Sequence, residues 1–590
     1  MAAPTIPPQP TGQVPSAPVV VQLGNPKKRI AVFTRILLVC ALLCTGKLIY
    51  LQIIRGPELA AAAAGSRIQT YAVPAVRGDI TDINGNPIAM SVKARNVTVD
   101  QTLVLNARKT AEALAPYLKM PVKDIEAKLT GKLRFNYVAR NITPELWTKI
   151  SNLQLVGIMS EPSSLRVYPE GTLAANLLGF TGTEGSGLVG LESTFNSTLA
   201  GIDGRQTVEM VNGAQIPTGP NSGVDAIDGN SVRLTIDHSI QAVAERALAR
   251  QVVAQHAYGG DVVVMDPKTF QILAMATYPT FNPNHPSKYK PSQTRNSAVQ
   301  DTFEPGSTSK VMTMAAVLEE GVLNPKSKMV IPPSIRKGGT RFHDHEPHGY
   351  LKLTLNGVLA QSSNIGSIIA ASKIGQDKLV SYFRKFGVGQ TTGSKIYGEQ
   401  AGILPDPKNP NQWSATTFPT LAFGQGYAVT ALQVASIYST IANGGVRLQP
   451  QIVAGTTSND GFFTPADPPK STRVVSAKTA KTVREMLESV VSAEGTAPAA
   501  QIPGYRVAGK TGTANRSQAN GYSGYTASFV GMAPAENPSL VVAVMIHTPG
   551  GLHFGSLLSG PVFREVMMYS LAHLRVPPSS NKRPKFPVKW

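Results

Sequence analysis

A run of nineteen mostly apolar residues near the N-terminus, Ile36 to Ile54, constrains this chain more than any other feature. Folded as a helix, a run of this length spans the hydrocarbon core of a bilayer. Four basic residues lie just ahead of it: Lys27, Lys28, Arg29 and Arg35. Because basic flanking residues stay on the cytoplasmic side, we expect a single-pass plasma-membrane anchor over residues 30–55. Residues 1–29 are then a disordered cytoplasmic tail, and the rest of the chain is extracytoplasmic.

The alternative for the apolar run is a cleaved signal peptide. Small residues between Ala60 and Ala64 are compatible with a cleavage site. Against this alternative, Leu48 to Leu51 extend the run beyond a normal signal core. Lys47 is compatible with an anchor, because a lysine near one end of a span reaches the interface or faces a partner helix.

Composition limits the chemistry available outside the membrane. The two cysteines of the chain, Cys40 and Cys44, both lie in the apolar run, where we interpret them as packing residues. A disulfide framework and a thiolate metal site are therefore excluded after Cys44. The formal net charge of +20 predicts an anionic neighbourhood, such as a membrane surface or a wall polymer. No nucleic acid partner is expected, because the basic residues are dispersed and no zinc-finger or RNA-binding aromatic spacing occurs.

Two regions with different patterns follow the anchor. Residues 66–223 are rich in strand and turn signals, such as the hairpin signal Asn84-Gly85, and they contain no evident nucleophile–base pair. Residues 231–576 alternate helices with strands, and Asp237 is placed to cap a helix. This order predicts an α+β domain in which helices cover an antiparallel sheet. Residues 577–590 are Pro-rich and basic, which predicts a disordered tail.

Three short motifs occur in the second region. Ser307 and Lys310 stand at the start of an apolar, helix-like run, and their spacing of three puts them on one helix face. A hydroxyl held against a neutral amine at a helix start can act as a nucleophile. The amine takes the proton, and the helix N-terminus favours the developing negative charge. The other two motifs are Ser362-x-Asn364 and Lys510-Thr511-Gly512, far enough apart for three elements to line one cleft.

The ordered triple Ser-x-x-Lys, Ser-x-Asn and Lys-Thr-Gly is the signature of the penicillin-binding and serine β-lactamase superfamily. From Lys27 to Leu574 the chain resembles class B penicillin-binding proteins, and more closely the septal, FtsI-like D,D-transpeptidases. Further segments carry the resemblance: Arg77-Gly78-Asp79-Ile80, Arg166 to Gly171, Gly190-Leu191-Glu192, Gly424-Gln425-Gly426, and Thr513 after Lys-Thr-Gly. The resemblance implies an N-terminal transmembrane helix and an elongated, dimerisation-like pedestal over residues 66–223. It also implies a C-terminal transpeptidase domain of the penicillin-binding/serine β-lactamase type over residues 231–576.

The resemblance also implies roles for five catalytic residues. Ser307 would attack the carbonyl of a D-Ala-D-Ala terminus and form an acyl-enzyme. Lys310 would accept the proton, and burial together with the ammonium of Lys510 would lower its pKa. Ser362 would relay a proton between the two lysines and the leaving amine. Asn364 would hold Lys310 and the substrate backbone.

Transition-state stabilisation and substrate binding fall to other groups. The backbone N–H groups of Ser307 and Thr513 would form the oxyanion hole. Thr511, Gly512 and Thr513 would bind the substrate, with the two threonine hydroxyls on its carboxylate. No metal and no cofactor is expected.

The implied partners follow from the implied reaction. An amine of a neighbouring peptidoglycan stem peptide would resolve the acyl-enzyme, and β-lactams would act as acylating mimics. The resemblance further implies other division proteins as partners. One of them is a SEDS-type glycan polymerase, contacted in the membrane through Ile36 to Ile54 and outside it through the pedestal.

Three other patterns indicate different chemistry. Gly504 to Thr511 fits the P-loop pattern, but the intervening residues are strand-like and no apolar helix follows, so nucleotide binding is not expected. His343, His345 and His348 could bind zinc, whereas the Pro and Gly residues around them favour a polar, solvated loop. Glu494 to Ala497 contain a carboxylate that is a candidate base, and we assign that segment no chemistry.

Alternatives to a septal transpeptidase stay open. They are an elongation-specific class B enzyme, a D,D-carboxypeptidase or β-lactamase, and a non-catalytic β-lactam sensor or scaffold. One span and a tail of about 35 residues leave no room for a sensor's cytoplasmic domain, and no deacylating glutamate is obvious. A glycosyltransferase domain is excluded by space, because Arg77 follows Ile54 by 23 residues.

Overall fold

The computed structural model describes residues 26–60, 68–211, 214–215, 221–518, 521–548, 550, 554–579, 583 and 586–590. Its contacts divide the chain into two units, Met1–Tyr71 with Arg205–Val224, and Ala72–Gly204 with Asp225–Trp590.

The α-helices of the described residues are α1 (Pro26–Ile49), α2 (Ala107–Leu118), α3 (Val122–Leu129), α4 (Pro144–Ser151), α5 (Ala175–Leu178), α6 (Gly190–Thr194), α7 (Asn196–Leu199), α8 (His238–Ala254), α9 (Ser297–Gln300), α10 (Lys310–Glu319), α11 (Leu355–Ala360), α12 (Asn364–Ala371), α13 (Gln376–Lys385), α14 (Thr417–Leu421), α15 (Ala431–Ala442), α16 (Ala477–Val490) and α17 (Gly555–His573). The β-strands are β1 (Ile68–Val73), β2 (Ile80–Thr81), β3 (Pro87–Val99), β4 (Asn136–Ile142), β5 (Ile158–Val167), β6 (Phe180–Thr181), β7 (Gly187–Val189), β8 (Gly204–Val211), β9 (Ala214–Gln215), β10 (Asn221–Val224), β11 (Ser231–Leu234), β12 (Gly259–Met265), β13 (Ile272–Tyr278), β14 (Lys328–Ile331), β15 (Ile335–Lys337), β16 (Thr340–Phe342), β17 (Leu351–Thr354), β18 (Val446–Leu448), β19 (Val453–Thr457), β20 (Phe463–Pro465), β21 (Ser471–Arg473), β22 (Ala508–Gln518), β23 (Gly521–Ala533) and β24 (Leu540–His547).

The first unit contains the apolar helix. Helix α1 continues through a π-helical turn, Tyr50–Ile54, and the resulting helix of 29 residues is the one helix of the described chain long and apolar enough to cross a membrane. Residues 1–25 of the predicted tail lie outside the described residues. The last residues of that predicted tail, Pro26 to Arg29, already belong to α1, because proline suits the first helical turn and Lys and Arg are good helix formers. The unit also has a small sheet of order β1-β8-β10, with β9 paired to β8.

Strand β3 organises the N-terminal part of the second unit. It pairs antiparallel with β4 and β5, and helices α2 to α4 lie beside this sheet. Alternation along β3 directs Val97 and Val99 into a core with Leu114 of α2 and Ile125 of α3. The result is a self-contained small core.

The pedestal motifs meet in a buried ion cluster. Glu192 is fully buried, and the Nε atoms of Arg77 and Arg166 each donate to one of its carboxylate oxygens at 2.7 Å. Arg166 also donates to the Gly78 carbonyl at 2.8 Å, and the hydroxyl of Tyr168 donates to Glu192 at 3.2 Å. A buried carboxylate needs such partners, so these motifs hold segments distant in sequence together.

The pedestal and the C-terminal domain share a sheet. Its strand order is β20-β19-β11-β2-β3-β4, with β5 also paired to β3. The link is the parallel pairing of β2 with β11, where Val232 aligns with Ile80. The boundary between residues 223 and 231 therefore does not separate two independent bodies, because backbone hydrogen bonds cross it.

The second sheet of this unit is antiparallel and has the order β13-β12-β24-β23-β22. Its middle strand β24 is buried at every position, which requires cover on both faces. Helices α8, α15 and α17 pack against this sheet. The predicted α+β class, an antiparallel sheet covered by helices, is confirmed.

The predicted disorder of residues 577–590 is wrong for the described part of that segment. Residues 586–590 lie along β17, with Lys589 bridged to Leu353 and Val588 only 6% exposed. Earlier in the segment, the Ser579 N–H donates to the Gly504 carbonyl at 2.9 Å. The Pro and Lys content that predicts disorder is outweighed here by burial of apolar side chains.

Candidate active site

Ser307 lies in a tight turn that leads into α10. The 3₁₀ turn Gly306–Ser309 precedes Lys310, the first residue of α10. Gly306 adopts a left-handed φ of +55°, and its N–H donates to the Gly424 carbonyl at 2.9 Å. Lys310 and Ser307 share one face, with the Lys310 Nζ donating to the Ser307 Oγ at 3.0 Å. The local spacing thus brings the amine and the hydroxyl into contact.

Lys310 is fully buried and makes further hydrogen bonds through its amine. Nζ donates to the Ser362 carbonyl at 2.6 Å and to the Asn364 Oδ1 at 2.8 Å, with the Ser362 Oγ at 3.3 Å. Burial lowers the pKa of Lys310 to about 7, and the negative charge of Asp344 opposes part of that shift. Near neutral pH a large share of this amine is therefore uncharged.

Ser362 occupies a strained turn between α11 and α12. Its φ of +61° is left-handed, which is uncommon for a residue with a side chain. The next residue, Ser363, caps α12 by accepting a hydrogen bond from the Gly366 N–H at 2.9 Å. The turn directs the Ser362 carbonyl and the Asn364 amide onto Lys310, which explains why the strain is maintained.

Lys510 lies on β22 and is also fully buried. Its Nζ donates to the carbonyl and hydroxyl of Thr511 at 3.1 and 3.2 Å. Burial, followed by repulsion from Lys310, holds the pKa of Lys510 well below its ordinary value. We expected repulsion between the two ammonium groups to depress the pKa of Lys310; it contributes to the lowered pKa of Lys510, whereas burial is the cause that lowers the pKa of Lys310.

Gly512, which we predicted to bind substrate, has a packing role in the structure. It is buried, and a Cβ there would lie 2.4 Å from the Ser528 Oγ, 2.9 Å from Thr308 and 3.0 Å from the Pro305 carbonyl. The residue lets β22 approach the Ser307 turn closely. Its neighbours Thr511 and Thr513 line the adjacent cavity, whereas Gly512 does not.

A cavity of about 650 Å³ brings the three motifs together. Ser307, Ser362, Asn364, Thr511 and Thr513 line it, while Lys310 and Lys510 lie beneath the surface. Sequence reasoning missed several other lining residues: Arg341, Asp344, Glu346, Phe423, Gln425, Thr496 and Phe554. Of these, Thr496 contacts a motif directly, with its Oγ1 3.1 Å from the Thr511 Oγ1.

Most residues of the histidine loop are exposed, in line with the solvated loop we predicted, and Asp344 ties the loop to α12. The Asp344 Oδ2 accepts hydrogen bonds from the Ser363 hydroxyl at 2.7 Å and lies 3.0 Å from the His348 Nε2, and the Ile365 N–H donates to Oδ1 at 2.9 Å. Asp344 therefore fixes the start of α12. Among the described residues no group of three or more His, Cys, Asp or Glu side chains is arranged to hold a metal ion.

The segment with a P-loop pattern has no P-loop structure. Residues from Ala508 to Gln518 form strand β22, and no helix follows Lys510 and Thr511. Without a loop and a helix N-terminus there is no nest of N–H groups for phosphate. The nucleotide alternative is therefore discarded.

Two family models match the chain. The penicillin binding protein transpeptidase domain matches residues 260–568, and the penicillin-binding protein dimerisation domain matches residues 72–234. Residues 260–568 include all three motifs, and residues 72–234 include the buried ion cluster of the pedestal.

Curated proteins and a solved structure agree with these matches. Penicillin-binding protein PbpB of Mycobacterium tuberculosis is 35% identical over 586 residues, covering 93% of this chain and 85% of that protein. Peptidoglycan D,D-transpeptidase FtsI of Escherichia coli is 32% identical, covering 94% of this chain and 93% of FtsI. The crystal structure of penicillin binding protein 3 from M. tuberculosis, complexed with aztreonam, gives a TM-score of 0.70 at 32% identity, covering 88% of this chain and all of that one. The chain thus belongs to the class B penicillin-binding proteins, the peptidoglycan D,D-transpeptidases.

Proposed function

We propose that this D,D-transpeptidase of the FtsI and PBP3 division type cross-links peptidoglycan stem peptides through an acyl-enzyme on Ser307. The observation that carries the proposal is the contact between a half-buried serine hydroxyl and a fully buried amine whose pKa is about 7. A neutral amine at 3.0 Å is within reach of the hydroxyl proton. A buried lysine in an ion pair with a carboxylate would stay protonated near neutral pH and could not accept the serine proton.

Acylation replaces the C–N bond of the donor peptide with an ester bond to Ser307, and one proton passes from the serine to the leaving amine. The Ser307 Oγ attacks the carbonyl carbon of the penultimate D-alanine, and its proton passes to the Lys310 Nζ. The N–H groups of Ser307 and Thr513 stabilise the oxyanion, each by about 3–4 kcal/mol. The C–N bond then breaks, and the proton passes from Lys310 through the Ser362 hydroxyl to the leaving D-alanine amine. Thr511 and Thr513 hold the terminal carboxylate through their hydroxyls.

Deacylation reverses this sequence with a different amine. A neutral side-chain amine of a second stem peptide attacks the ester carbonyl, and its proton returns through Ser362 to Lys310. The ester C–O bond breaks and Ser307 recovers its proton. The product is an amide cross-link, and the enzyme returns to its starting protonation. Burial and repulsion from Lys310 lower the pKa of Lys510, which makes Lys510 a weaker proton acceptor than an ordinary lysine.

β-Lactams enter the same scheme as acylating agents. The solved relative is described as complexed with aztreonam, and a β-lactam carbonyl presents the same electrophile as the D-Ala-D-Ala peptide bond. In this chain the ring-opened drug would remain on Ser307, because the leaving nitrogen stays tethered to it.

The helix Pro26–Ile54 supports a proposed location and a proposed partner. Its length and apolar composition fit a single-pass anchor, and the basic residues at its start support an orientation with the N-terminus in the cytoplasm and the catalytic domain outside. We extend the proposal to a polytopic glycan polymerase of the SEDS type, contacted through this helix and the pedestal. The peptide cross-linking reaction needs newly polymerised glycan as its substrate.

The function is tested by following both products of the reaction. Full-length protein in detergent is incubated with a donor peptide ending in D-Ala-D-Ala and an acceptor peptide with a free side-chain amine. Mass spectrometry should find released D-alanine and the cross-linked dimer with wild type, and neither product with Ser307→Ala. Released D-alanine with only a shortened donor peptide would instead identify a carboxypeptidase.

A further inference from the structure

The last five residues, Phe586 to Trp590, lie in a groove of the catalytic domain beside β17. The Thr354 N–H donates to the Val588 carbonyl at 3.1 Å, and the Trp590 N–H donates to the Lys352 carbonyl at 3.3 Å. Because β17 pairs on its other side with β14, the segment extends this two-stranded sheet through the bridge between Leu353 and Lys589. This is strand addition, the mode by which a sheet edge binds an extended peptide.

Side chains of the groove are matched to this segment. The Thr354 hydroxyl donates to the Pro587 carbonyl at 2.5 Å, and the Asn356 Nδ2 donates to the Phe586 carbonyl at 3.2 Å. The Trp590 indole N–H reaches the Met329 carbonyl at 3.3 Å. The amines of Lys328 and Lys352 lie 4.8 and 5.4 Å from the centre of the Trp590 ring, as in cation–π contacts.

Gly357 shows how closely the groove fits the peptide. Its position in α11 has an ordinary helical backbone, yet a Cβ there would lie 1.9 Å from the Val588 carbonyl oxygen. Alanine would be the better helix former at this position by about 1 kcal/mol. The glycine therefore leaves the room that the bound segment occupies.

The groove leads directly to the Ser362 turn. Helix α11 begins at the tail contacts and ends one residue before the turn. Its carbonyls hold the turn, since the Leu359 carbonyl accepts from the Ser362 N–H at 3.2 Å and the Val358 carbonyl accepts from the Ser363 N–H at 2.9 Å. The Ser362 carbonyl in turn accepts from Lys310 at 2.6 Å. One short helix connects the bound C-terminus to the catalytic amine.

We propose that the edge of β17 and the first turn of α11 form a peptide-binding groove whose ligand is the chain's own C-terminal segment, and that its occupation positions the Ser362 turn against Lys310. The inference rests on the proposed function insofar as Ser362 and Lys310 act in acylation. The segment is a positioning element, because it touches neither the substrate nor the reacting atoms.

The test removes the segment and returns it as a separate peptide. Full-length protein in detergent is compared with a variant that ends at residue 585, and acylation by a fluorescent penicillin is timed at 25 °C on protein shown to be folded. The truncated chain should acylate at least about tenfold more slowly, because displacements of about 1 Å cost that much or more. The peptide Phe-Pro-Val-Lys-Trp at millimolar concentration, which matches a tethered ligand, should restore the rate. The same peptide carrying Val588→Asp should not.

Gly357→Ala supplies a test that keeps the chain complete. In the full chain it should slow acylation to the level of the truncation, because the methyl group displaces Val588. In the truncated chain it should cause no further loss but prevent rescue by the peptide, which makes the two changes non-additive. Gly560→Ala is the matched control, since Gly560 also lies in a helix and its Cβ would meet open space.

Three outcomes would overturn the proposal. They are a folded truncated chain that acylates at the wild-type rate, effects of Gly357→Ala and truncation that add, and a loss of thermal stability with no change in acylation. Peptide binding is measured separately, by fluorescence anisotropy of a labelled peptide on the truncated chain. If the truncated chain binds the peptide but the wild type is not acylated, the proposed function is wrong and the peptide-binding groove is supported. If the wild type is acylated but the truncated chain does not bind the peptide, the groove is wrong and the proposed function is supported.

Discussion

Lys310 and Lys510 are two fully buried amines within one site, and the amine of Lys310 contacts the Ser307 hydroxyl. Burial in low dielectric disfavours both charges. Lys510 also responds to the charge of Lys310, while Lys310 has the opposing field of Asp344. The site therefore has one amine, Lys310, with a pKa of about 7, and a second, Lys510, whose pKa is also well below that of an ordinary lysine.

The rate of acylation should rise with pH through about 7, because only neutral Lys310 accepts the Ser307 proton. The pKa of this lysine lies below its ordinary value of 10.5 in the folded chain. The unfolded chain therefore binds more protons between about 7 and 10.5, and this group's contribution to the free energy of unfolding increases over that interval. Stopped-flow acylation by a chromogenic cephalosporin between pH 5.5 and 9 measures the first effect. A flat profile would contradict the assignment of Lys310 as base.

Asp344→Asn should shift that profile to lower pH. The carboxylate raises the pKa of Lys310, so its removal lets the pKa fall further. The maximal rate should also decrease, since Asp344 holds Ser363 and the Ile365 N–H. The same stopped-flow series makes the measurement, with the exposed and remote Asp377→Asn as the control. If the maximal acylation rate falls while the midpoint of the pH profile does not move, Asp344 has a structural role alone.

At the scale of elements, glycines bring the three motif-bearing segments into contact. Because Gly512 has no side chain, the Ser307 turn packs directly against β22. The missing side chain of Gly424 likewise lets the Gly424 segment pack against the same turn. A Cβ on Gly424 would lie 1.8 Å from the Gly306 carbonyl oxygen, and its φ of +102° is unfavourable for any side chain. The position of the Ser307 hydroxyl depends on both contacts.

Gly424→Ala should therefore reduce acylation by at least about tenfold and destabilise the fold by about 1–3 kcal/mol. The methyl group must displace the Gly306 carbonyl and with it Ser307. Acylation by a fluorescent penicillin and thermal unfolding make the two measurements. Gly444→Ala is the control, because Gly444 also has a positive φ, +61°, but faces open space. Equal acylation losses in both variants would mean that backbone strain, rather than the collision, is responsible.

Contacts within a single element, or at its start, were predictable from the sequence. The pairing of Ser307 with Lys310 follows from helix geometry alone, so a spacing of three residues was sufficient. The helix cap at Asp237 was likewise predicted, and its carboxylate accepts hydrogen bonds from the N–H groups of Ser239 and Ile240 at the start of α8. In both cases the interacting residues are close in the chain, where local pattern and propensity govern.

Contacts between distant segments were not predictable in this way. Asp344 meets Ser363 only because the loop before β17 folds back over α12. The bound C-terminus was predicted to be disordered from its Pro and Lys content. A weak signal was present, since Val588 and Trp590 alternate with Lys589 as in a strand. Their binding site, however, lies more than 200 residues earlier.

At the scale of the whole chain, the buried carboxylate of Glu192 ties the pedestal motifs together. Glu192→Gln should destabilise the protein by about 3–5 kcal/mol, because the amide removes the negative charge and offers the two buried guanidinium groups one side-chain oxygen where the carboxylate offers two. Denaturant unfolding followed by circular dichroism makes the measurement. Glu112→Gln breaks an exposed pair with Arg108 and should have no measurable effect. Equal stability of both variants would contradict a structural role for the cluster.

The shared sheet couples the pedestal to the catalytic domain. Because β2 pairs with β11, loss of the pedestal cluster should reach the catalytic domain, and Glu192→Gln should lower the unfolding midpoint of both regions together. Composition and turn signals delineated residues 66–223 and 231–576 as separate regions, but they carry no information on a parallel pairing that joins strands about 150 residues apart. Such pairing depends on the packing of the complete chain.

The mass of the whole protein after incubation with a penicillin tests the central claim most directly. Wild type and Ser307→Ala are followed over several hours, with circular dichroism confirming that both are folded. The account predicts a stable adduct of one drug molecule on wild type and none on the variant. An adduct that persists in Ser307→Ala would show that Ser307 is not the nucleophile, and an adduct on wild type that is rapidly lost would identify a hydrolase instead of a transpeptidase.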